Sequence, residues 1–462
     1  MQYQNSENKE DKEHKYEGDD KMTKERKDIF IAGFALFAIF FGAGNLIFPP
    51  SLGLAAGKAW PLAALGFLLT DPVLPVLGVI ATSKVGGKAE DLGKRVSPLF
   101  AKILGAVCIL VIGPLFAVPR TAATVYEIAI KPVMPSSPLL ITSLIFFVIT
   151  YMLVINQSGV IDKIGKYLTP ALLVILTVII GACVINPIGE IVAPQPGNFF
   201  LKGFEEGYQT MDALGASLMA GIVLSDLIFR GYKDRKKQQH MTTRIGLVAA
   251  ALLAFIYGGL TYVGAAGSAI FSSDMPRVDL LLGLVNEIFG TAGTISIAVA
   301  VSLACLTTSI GLTATAANYF SGISNGKLSY KAVAIAVVVC SFALSNFGVE
   351  GLISIAVPIL CTVYPLIIVL ILTTLFDEHI PNDHTYRGSV LGAFIVSLTM
   401  TLNSTFNILN GPMVLIQKLP LYANGFPWIV PSIVLGIAFM IYGKMTQKNQ
   451  PGEGLAGENR TA

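Results

Sequence analysis

The chain has 462 residues, of which 53% are hydrophobic and 13% charged, with a mean hydropathy of +0.68. Those proportions exclude an ordinary soluble enzyme and point to a polytopic helical membrane protein. A formal net charge of +3 is too small to suggest a nucleic-acid partner, and the five cysteines (Cys108, Cys183, Cys305, Cys340, Cys361) sit in apolar runs without ligand spacing, as small hydrophobes rather than a redox or metal centre.

Residues 1–27 are dense in Lys, Glu and Asp of mixed sign and hold almost no large apolar groups, so they read as a disordered tail. The apolar run after them is too long for a removable signal and lacks its small-residue cleavage pattern. Lys21, Lys24, Arg26 and Lys27 at the start of that run place this end in the cytoplasm.

The first apolar run, 29–56, contains Ile39-Phe40-Phe41-Gly42-Ala43-Gly44-Asn45-Leu46-Ile47-Phe48-Pro49-Pro50. A plain membrane helix has no use for such residues at mid-depth. Each glycine weakens a helix by about 1 kcal/mol relative to alanine, Asn45 brings a polar amide into the bilayer, and Pro49 and Pro50 fit the first turn of a new helix. Two half-helices joined by an unwound link are expected. Irregular backbone in a membrane is tolerated where it is buried in protein or lines a wet cavity, so the link reads as a binding site.

Further runs long enough to cross the bilayer follow at 59–83, 98–125, 138–155, 168–189, 207–229, 245–270, 293–321, 331–347, 350–376, 388–409 and 426–443, about twelve in all. The loops at 84–102 and 230–244 are rich in Lys and Arg. Lys163 and Lys166, Lys327 and Lys331, and Arg387 mark the other loops of the same side. The alternate loops are poorer in them, so both termini are expected in the cytoplasm. In the third span, Arg120 lies toward the outer end, where it can snorkel or pair with Glu127 in a structural or outer-gate role.

The sixth span holds a second break, Gly207-Tyr208-Gln209-Thr210-Met211-Asp212-Ala213-Leu214-Gly215-Ala216-Ser217. A carboxylate at the bilayer centre costs ~2.5–3.5 kcal/mol, so Asp212 is expected to face the interior and to have a partner. It either contacts an ion or ligand or caps the second half-helix. Interrupted spans at corresponding places in two halves point to a transporter site. The 271–290 connection has the spacing of a short amphipathic outer helix, either a lid or a packed surface element. In the eighth span, Ala304-Cys305-Leu306-Thr307-Thr308-Ser309 places three hydroxyls midway across; at least one faces the bundle, and hydroxyl and carbonyl oxygens suit a small alkali cation.

No histidine lies within the spans, and neither DDxxD nor HExxH occurs, which argues against an intramembrane enzyme. Polar residues gather at the midplane rather than in a stripe, which argues against a channel.

Phe41-Gly-Ala-Gly-Asn-Leu-Ile-Phe-Pro-Pro50, Tyr208-Gln-Thr-Met-Asp-Ala-Leu214 and Gly113-Pro114 resemble the bacterial branched-chain amino acid:cation symporters (the BrnQ type, or system II carriers) over nearly all of residues 28–445. A more distant similarity is to the LeuT-type sodium-coupled transporters and the wider amino acid–polyamine–organocation superfamily. The resemblance implies an all-α membrane protein of about twelve transmembrane helices. Its core would be a LeuT-like five-plus-five inverted repeat (28–377, with halves 28–189 and 207–377) with discontinuous helices 1 and 6. Two additional helices follow (388–443), then a cytoplasmic tail (444–462).

By local match, the amides of Ala43 and Gly44 would receive the substrate carboxylate. Asn45, Thr210 and the carbonyl of Phe40 would border one sodium position. The carbonyls of Ala38, Phe41 and Ala304, with the hydroxyls of Thr307 and Thr308, would form another. Phe48 replaces a gate arginine. Asp212 replaces a small polar residue, as a candidate for holding the substrate ammonium or altering ion choice. Met211, Leu312, Leu214 and Phe37 are candidates for the apolar side-chain pocket. The implied function is sodium-coupled import of Leu, Ile and Val across the bacterial cytoplasmic membrane by alternating access, without an obligate protein partner. Proton coupling through Asp212 is the alternative.

Overall fold

The computed structural model describes residues 23–88, 90–156, 160–194 and 196–448, and among these there is no strand. The first 22 residues of the expected N-terminal tail and residues 449–462 of the C-terminal one lie outside the described residues, as do the side chains of Lys163 and Lys166.

The first span is α1 (23–40) followed by α2 (Ala43–Ala56). The second joins α3 (Trp60–Leu68) to α4 (Leu74–Val85), and the third joins α5 (Pro98–Leu110) to α6 (Ala117–Val125). Then come α7 (Leu139–Asn156), α8 (Val160–Ile185), a sixth span made of α9 (Phe199–Tyr208) and α10 (Asp212–Phe229), and α11 (Arg235–Ala266). The remainder is α12 (Arg277–Ile323), α13 (Tyr330–Ser345), α14 (Gly348–Leu375), α15 (Asp383–Phe406), a short α16 (Asn410–Ile416) and α17 (Ile429–Lys448).

Among the described residues, eight stretches are long and apolar enough to cross a membrane, and three shorter apolar helices join them. Dividing the Gly44–Val85 stretch at its 57–59 turn brings the crossings to twelve. The large exposed side chains of α7 and α8, such as Ile141, Leu144, Val174 and Val178, are apolar, as lipid contact requires, and the exposed Thr177 hydroxyl is turned back onto the Leu173 carbonyl (2.7 Å).

Three expectations are corrected. Pro49 and Pro50 lie inside α2, which resumes at Ala43 rather than at the prolines. Close packing holds α2 against α11 there: a Cβ on Gly53 would strike the Thr261 carbonyl, and one on Gly264 the Pro50 carbonyl. The sixth span starts at Phe199, because residues 199–206, expected to belong to a loop, form most of α9 despite Lys202, Glu205 and Glu206. The helix expected within 271–290 exists but runs on into span eight, turning at Gly290, whose φ of 61° is left-handed.

The two ends of the bundle are stitched separately. At the basic end, Arg230 pairs with Asp28 (2.9 Å) and Asp226 (2.7 Å), and Arg95 pairs with Asp377 and with Asp383 (2.6 Å). At the opposite end, Arg277 opens α12 by bonding Glu206 of α9 (3.0 Å) and Glu350 of α14. The last two long helices, α15 and α17, meet through small residues: Gly388 and Gly392 lie against the Leu435 and Pro431 carbonyls, and Ser432 Oγ donates to the Ser389 carbonyl at 2.9 Å.

Candidate functional site

Four spans, not two, lose regular helix geometry near mid-depth. In the first, α1 gives way at Phe41 and Gly42, and Gly42 precedes α2 with extended backbone and no side-chain cap. The first amides of α2 and the last carbonyls of α1 therefore have no intrahelical partners. In the sixth, Met211 takes a left-handed φ of 65° and α10 starts at Asp212. In the second, Asp71 is extended (φ −155°, ψ 105°), and in the third Gly113 departs from helix (φ −91°, ψ −111°). Each of these last two precedes a proline, whose ring disfavours helical backbone at the preceding residue.

A cavity of about 60 Å³ lies among these interruptions, lined by Ile39, Phe40, Gly42, Gly44 and Asn45 of span one, Ile112, Ala117, Arg120 and Thr121 of span three, Thr210, Met211, Asp212, Gly215 and Met219 of span six, and Thr308 and Leu312 of span eight. A water occupies ~10–15 Å³ of such space, so there is room for a small molecule rather than one solvent molecule. The walls carry polar groups of both signs: the Arg120 guanidinium, the Asp212 carboxylate and the free amides of α2.

Asn45 organises the acidic side. Its amide nitrogen lies 2.8 Å from Asp212 Oδ2, 3.1 Å from Asp71 Oδ2 and 2.6 Å from the Tyr257 hydroxyl. An amide nitrogen carries two hydrogens and accepts none, so it satisfies at most two of these three neighbours at a time. The other Asp71 oxygen, Oδ1, is buried without a hydrogen-bond partner among the described residues. Two buried carboxylates converging on one amide are stabilised by a cation beside them or by a proton on one of them.

The expected partner of Asp212 is thus the Asn45 side chain, and among the described residues no backbone amide donates to it, so the capping role is not the one adopted. Gly44, Asn45, Phe40, Thr210, Met211, Asp212, Thr308 and Leu312 all reach the cavity. The Thr210 hydroxyl donates to the Gly207 carbonyl (2.8 Å). Ala43 begins α2, but its side chain lies outside the described residues.

The span-eight group divides. Thr307 Oγ1 donates to the Ala304 carbonyl at 2.9 Å, which uses one lone pair of that carbonyl and leaves the hydroxyl oxygen able to accept. The Thr308 hydroxyl makes no hydrogen bond among the described residues, and its methyl lies 4.0 Å from where a Cβ on Gly42 would stand. Ala38 and Phe41 sit at the carbonyl end of α1, with the Phe41 ring stacked on Phe37 at 5.2 Å. Phe37 and Leu214 are buried outside the cavity wall: Phe37 stacks on Phe41, and Leu214 lines a separate small cavity beside Cys108.

Arg120 and Glu127 do not pair. The irregular turn at Val111–Leu115 aims the following helix so that Arg120 is 5% exposed and lines the central cavity, its Nη1 donating to the Gln209 carbonyl at 2.8 Å. Glu127 accepts from the Val349 amide (3.0 Å) and so caps the first turn of α14. Sequence reasoning missed Asp71 and Tyr257. Asp71 carried the same signal that singled out Asp212, a carboxylate within an apolar run.

Residues 25–446 match the family described as branched-chain amino acid transport protein. The chain is 38% identical over 417 residues to the branched-chain amino acid permease BraB of Bacillus subtilis, covering 88% of this chain and 94% of that one. It is also 38% identical to a branched-chain amino acid transport system 2 carrier protein of Pseudomonas aeruginosa, with 89% and 95% covered. Among solved structures it is similar to Mhp1, a nucleobase-cation-symport-1 family transporter in a closed conformation with bromovinylhydantoin bound (TM-score 0.58, 12% identity, 90% and 93% covered). It is also similar to MhsT in complex with L-phenylalanine (TM-score 0.53, 16% identity, 90% and 98% covered). The fold is the LeuT-like inverted repeat with discontinuous helices 1 and 6 and two further helices, as the sequence resemblance implied.

Proposed function

The chain belongs to the family of branched-chain amino acid transport proteins, and from that premise we propose that it imports leucine, isoleucine and valine across a bacterial cytoplasmic membrane by sodium symport. The observation that carries this reading is the central cavity, where unpaired helix ends meet both charge signs and an apolar wall. A zwitterion has the complementary pair of groups. Its carboxylate suits the amides of Ala43 and Gly44, and its ammonium suits Asp212. Met211 and Leu312 supply apolar contact, at about 0.8 kcal/mol per methylene buried, which favours leucine over alanine.

Sodium takes the carbonyl end of α1, from Ala38 to Phe41, together with the Ala304 carbonyl and the hydroxyls of Thr307 and Thr308. A second position lies beside Phe40, Asn45 and Thr210. Voltage alone provides about 2.3 kcal/mol per sodium per 100 mV, roughly a fifty-fold accumulation of substrate at ~1.4 kcal/mol per decade. The transport core is residues 28–377, with both termini cytoplasmic, the side on which the basic loops lie. A proton on Asp212 is the second reading, favoured by the convergence of Asp71 and Asp212 on one amide.

The test is radiolabelled leucine uptake into proteoliposomes with sodium and proton gradients varied separately. The sodium reading expects uptake that follows the sodium gradient, and a Thr308→Ala variant that needs several-fold more sodium for half-maximal rate. Uptake that persists without sodium and collapses with a protonophore replaces it with the proton reading. A protein that carries no leucine under either gradient removes both.

A further inference from the structure

We propose that Arg120 binds the substrate α-carboxylate and thereby makes the site select amino acids over amines of the same shape. The proposal rests on the transport reading above and adds to it a residue on a third element.

Arg120 sits on α6 at 5% exposure, yet it takes part in no ion pair among the described residues. Of the described arginines, Arg95, Arg230, Arg244 and Arg277 are ion-paired to carboxylates, and the others outside any ion pair, Arg26, Arg235 and Arg387, are exposed, whereas Arg120 is buried. A guanidinium has five N–H donors, and the recorded hydrogen bond of Arg120 uses one of them, on the Gln209 carbonyl in the span-six break. Its carbon stands 5.2 Å from the Phe48 ring centre, which offsets part of the cost of burial. No carboxylate lies within ion-pair distance of Arg120 among the described residues, although Asp212 attracts it from farther away. The acid on the same cavity wall, Asp212, is hydrogen-bonded to Asn45 instead.

The direction of the free donors is fixed by Gly44. A Cβ built on that residue would collide with Arg120 Nη2, so the guanidinium edge lies directly over the second residue of α2. The α2 amides there have no intrahelical acceptor. A carboxylate at this point meets the amides and the guanidinium edge together, and a planar fork is the group best matched to two carboxylate oxygens. With the ammonium toward Asp212, a zwitterion spans the cavity from span three to span six and neutralises both walls.

The experiment compares L-leucine with L-leucinamide, which keeps the side chain and amine but lacks the carboxylate anion. Binding is measured in detergent for the wild type, Arg120→Gln and Arg120→Lys. The wild type is expected to prefer leucine. Arg120→Gln should lose roughly 10- to 100-fold in leucine affinity, the scale of a hydrogen bond to a charged group, and most of the preference over leucinamide, the α2 amides keeping the remainder. Arg120→Lys should recover part of the preference.

A second measurement needs no variant. Phenylglyoxal modification of Arg120 in the wild type, read by mass spectrometry, should be blocked by leucine and not by leucinamide. The assignment is overturned if Arg120→Gln keeps the wild-type preference, or if both ligands protect Arg120 equally, which is what a purely structural clamp on the span-six break would give. Wild-type protein that binds no leucine at all overturns the transport reading itself.

Discussion

Two arginines stand over the ring of Phe48, at 5.2 Å for Arg120 and 5.6 Å for Arg277, and the chain completes only one of them. Arg277, at the end of the bundle opposite the basic loops, is tied to Glu206 and Glu350, so it fastens α12 to α9 and α14. Arg120, deeper, bonds a backbone carbonyl and, among the described residues, no carboxylate. The same residue type beside the same ring thus does two jobs. Where the protein itself supplies the anion, the arginine joins helices. Where it does not, the arginine faces a cavity bounded by unpaired helix ends, and a ligand completes the charge.

The contrast is broken most severely by filling the space beside Arg120. Gly44→Leu puts a side chain where the guanidinium and the α2 amides meet, and leucine binding should be abolished while the purified protein keeps its elution profile and helical circular dichroism. Retained binding would mean that the ligand site is elsewhere. A smaller effect is expected at the other arginine. Arg277→Gln removes two partly exposed ion pairs, worth together on the order of 1–2 kcal/mol, so melting in detergent should drop by a few degrees. Leucine affinity should change little, because Arg277 does not line the cavity. A large affinity loss there would erase the distinction between the two residues.

Much of this arrangement was legible in the sequence. Gly42, Gly44 and Asn45, and the Gly207–Gly215 stretch with Asp212, mark the first and sixth breaks because such residues have a local cost in a membrane helix that only a site explains. The twelve crossings follow from apolar length alone. What stayed hidden depends on tertiary geometry. Arg120 counts as near the outer end if span three is a straight rod, but the turn around Gly113 moves it to the centre. Pro49 and Pro50 read as a helix start, yet packing against α11 keeps them within α2. Asp71 had the right signal, but its partnership with Asp212 runs through Asn45 of another span, which no spacing in one dimension reveals.

The most direct measurement is a cryo-electron microscopy map of the full chain with leucine and sodium. The account predicts interrupted density at residues 41–42 and 209–211, with the amino acid between them, its carboxylate against the start of α2 and its ammonium toward Asp212. Continuous first and sixth helices, or leucine bound away from this junction, would contradict it.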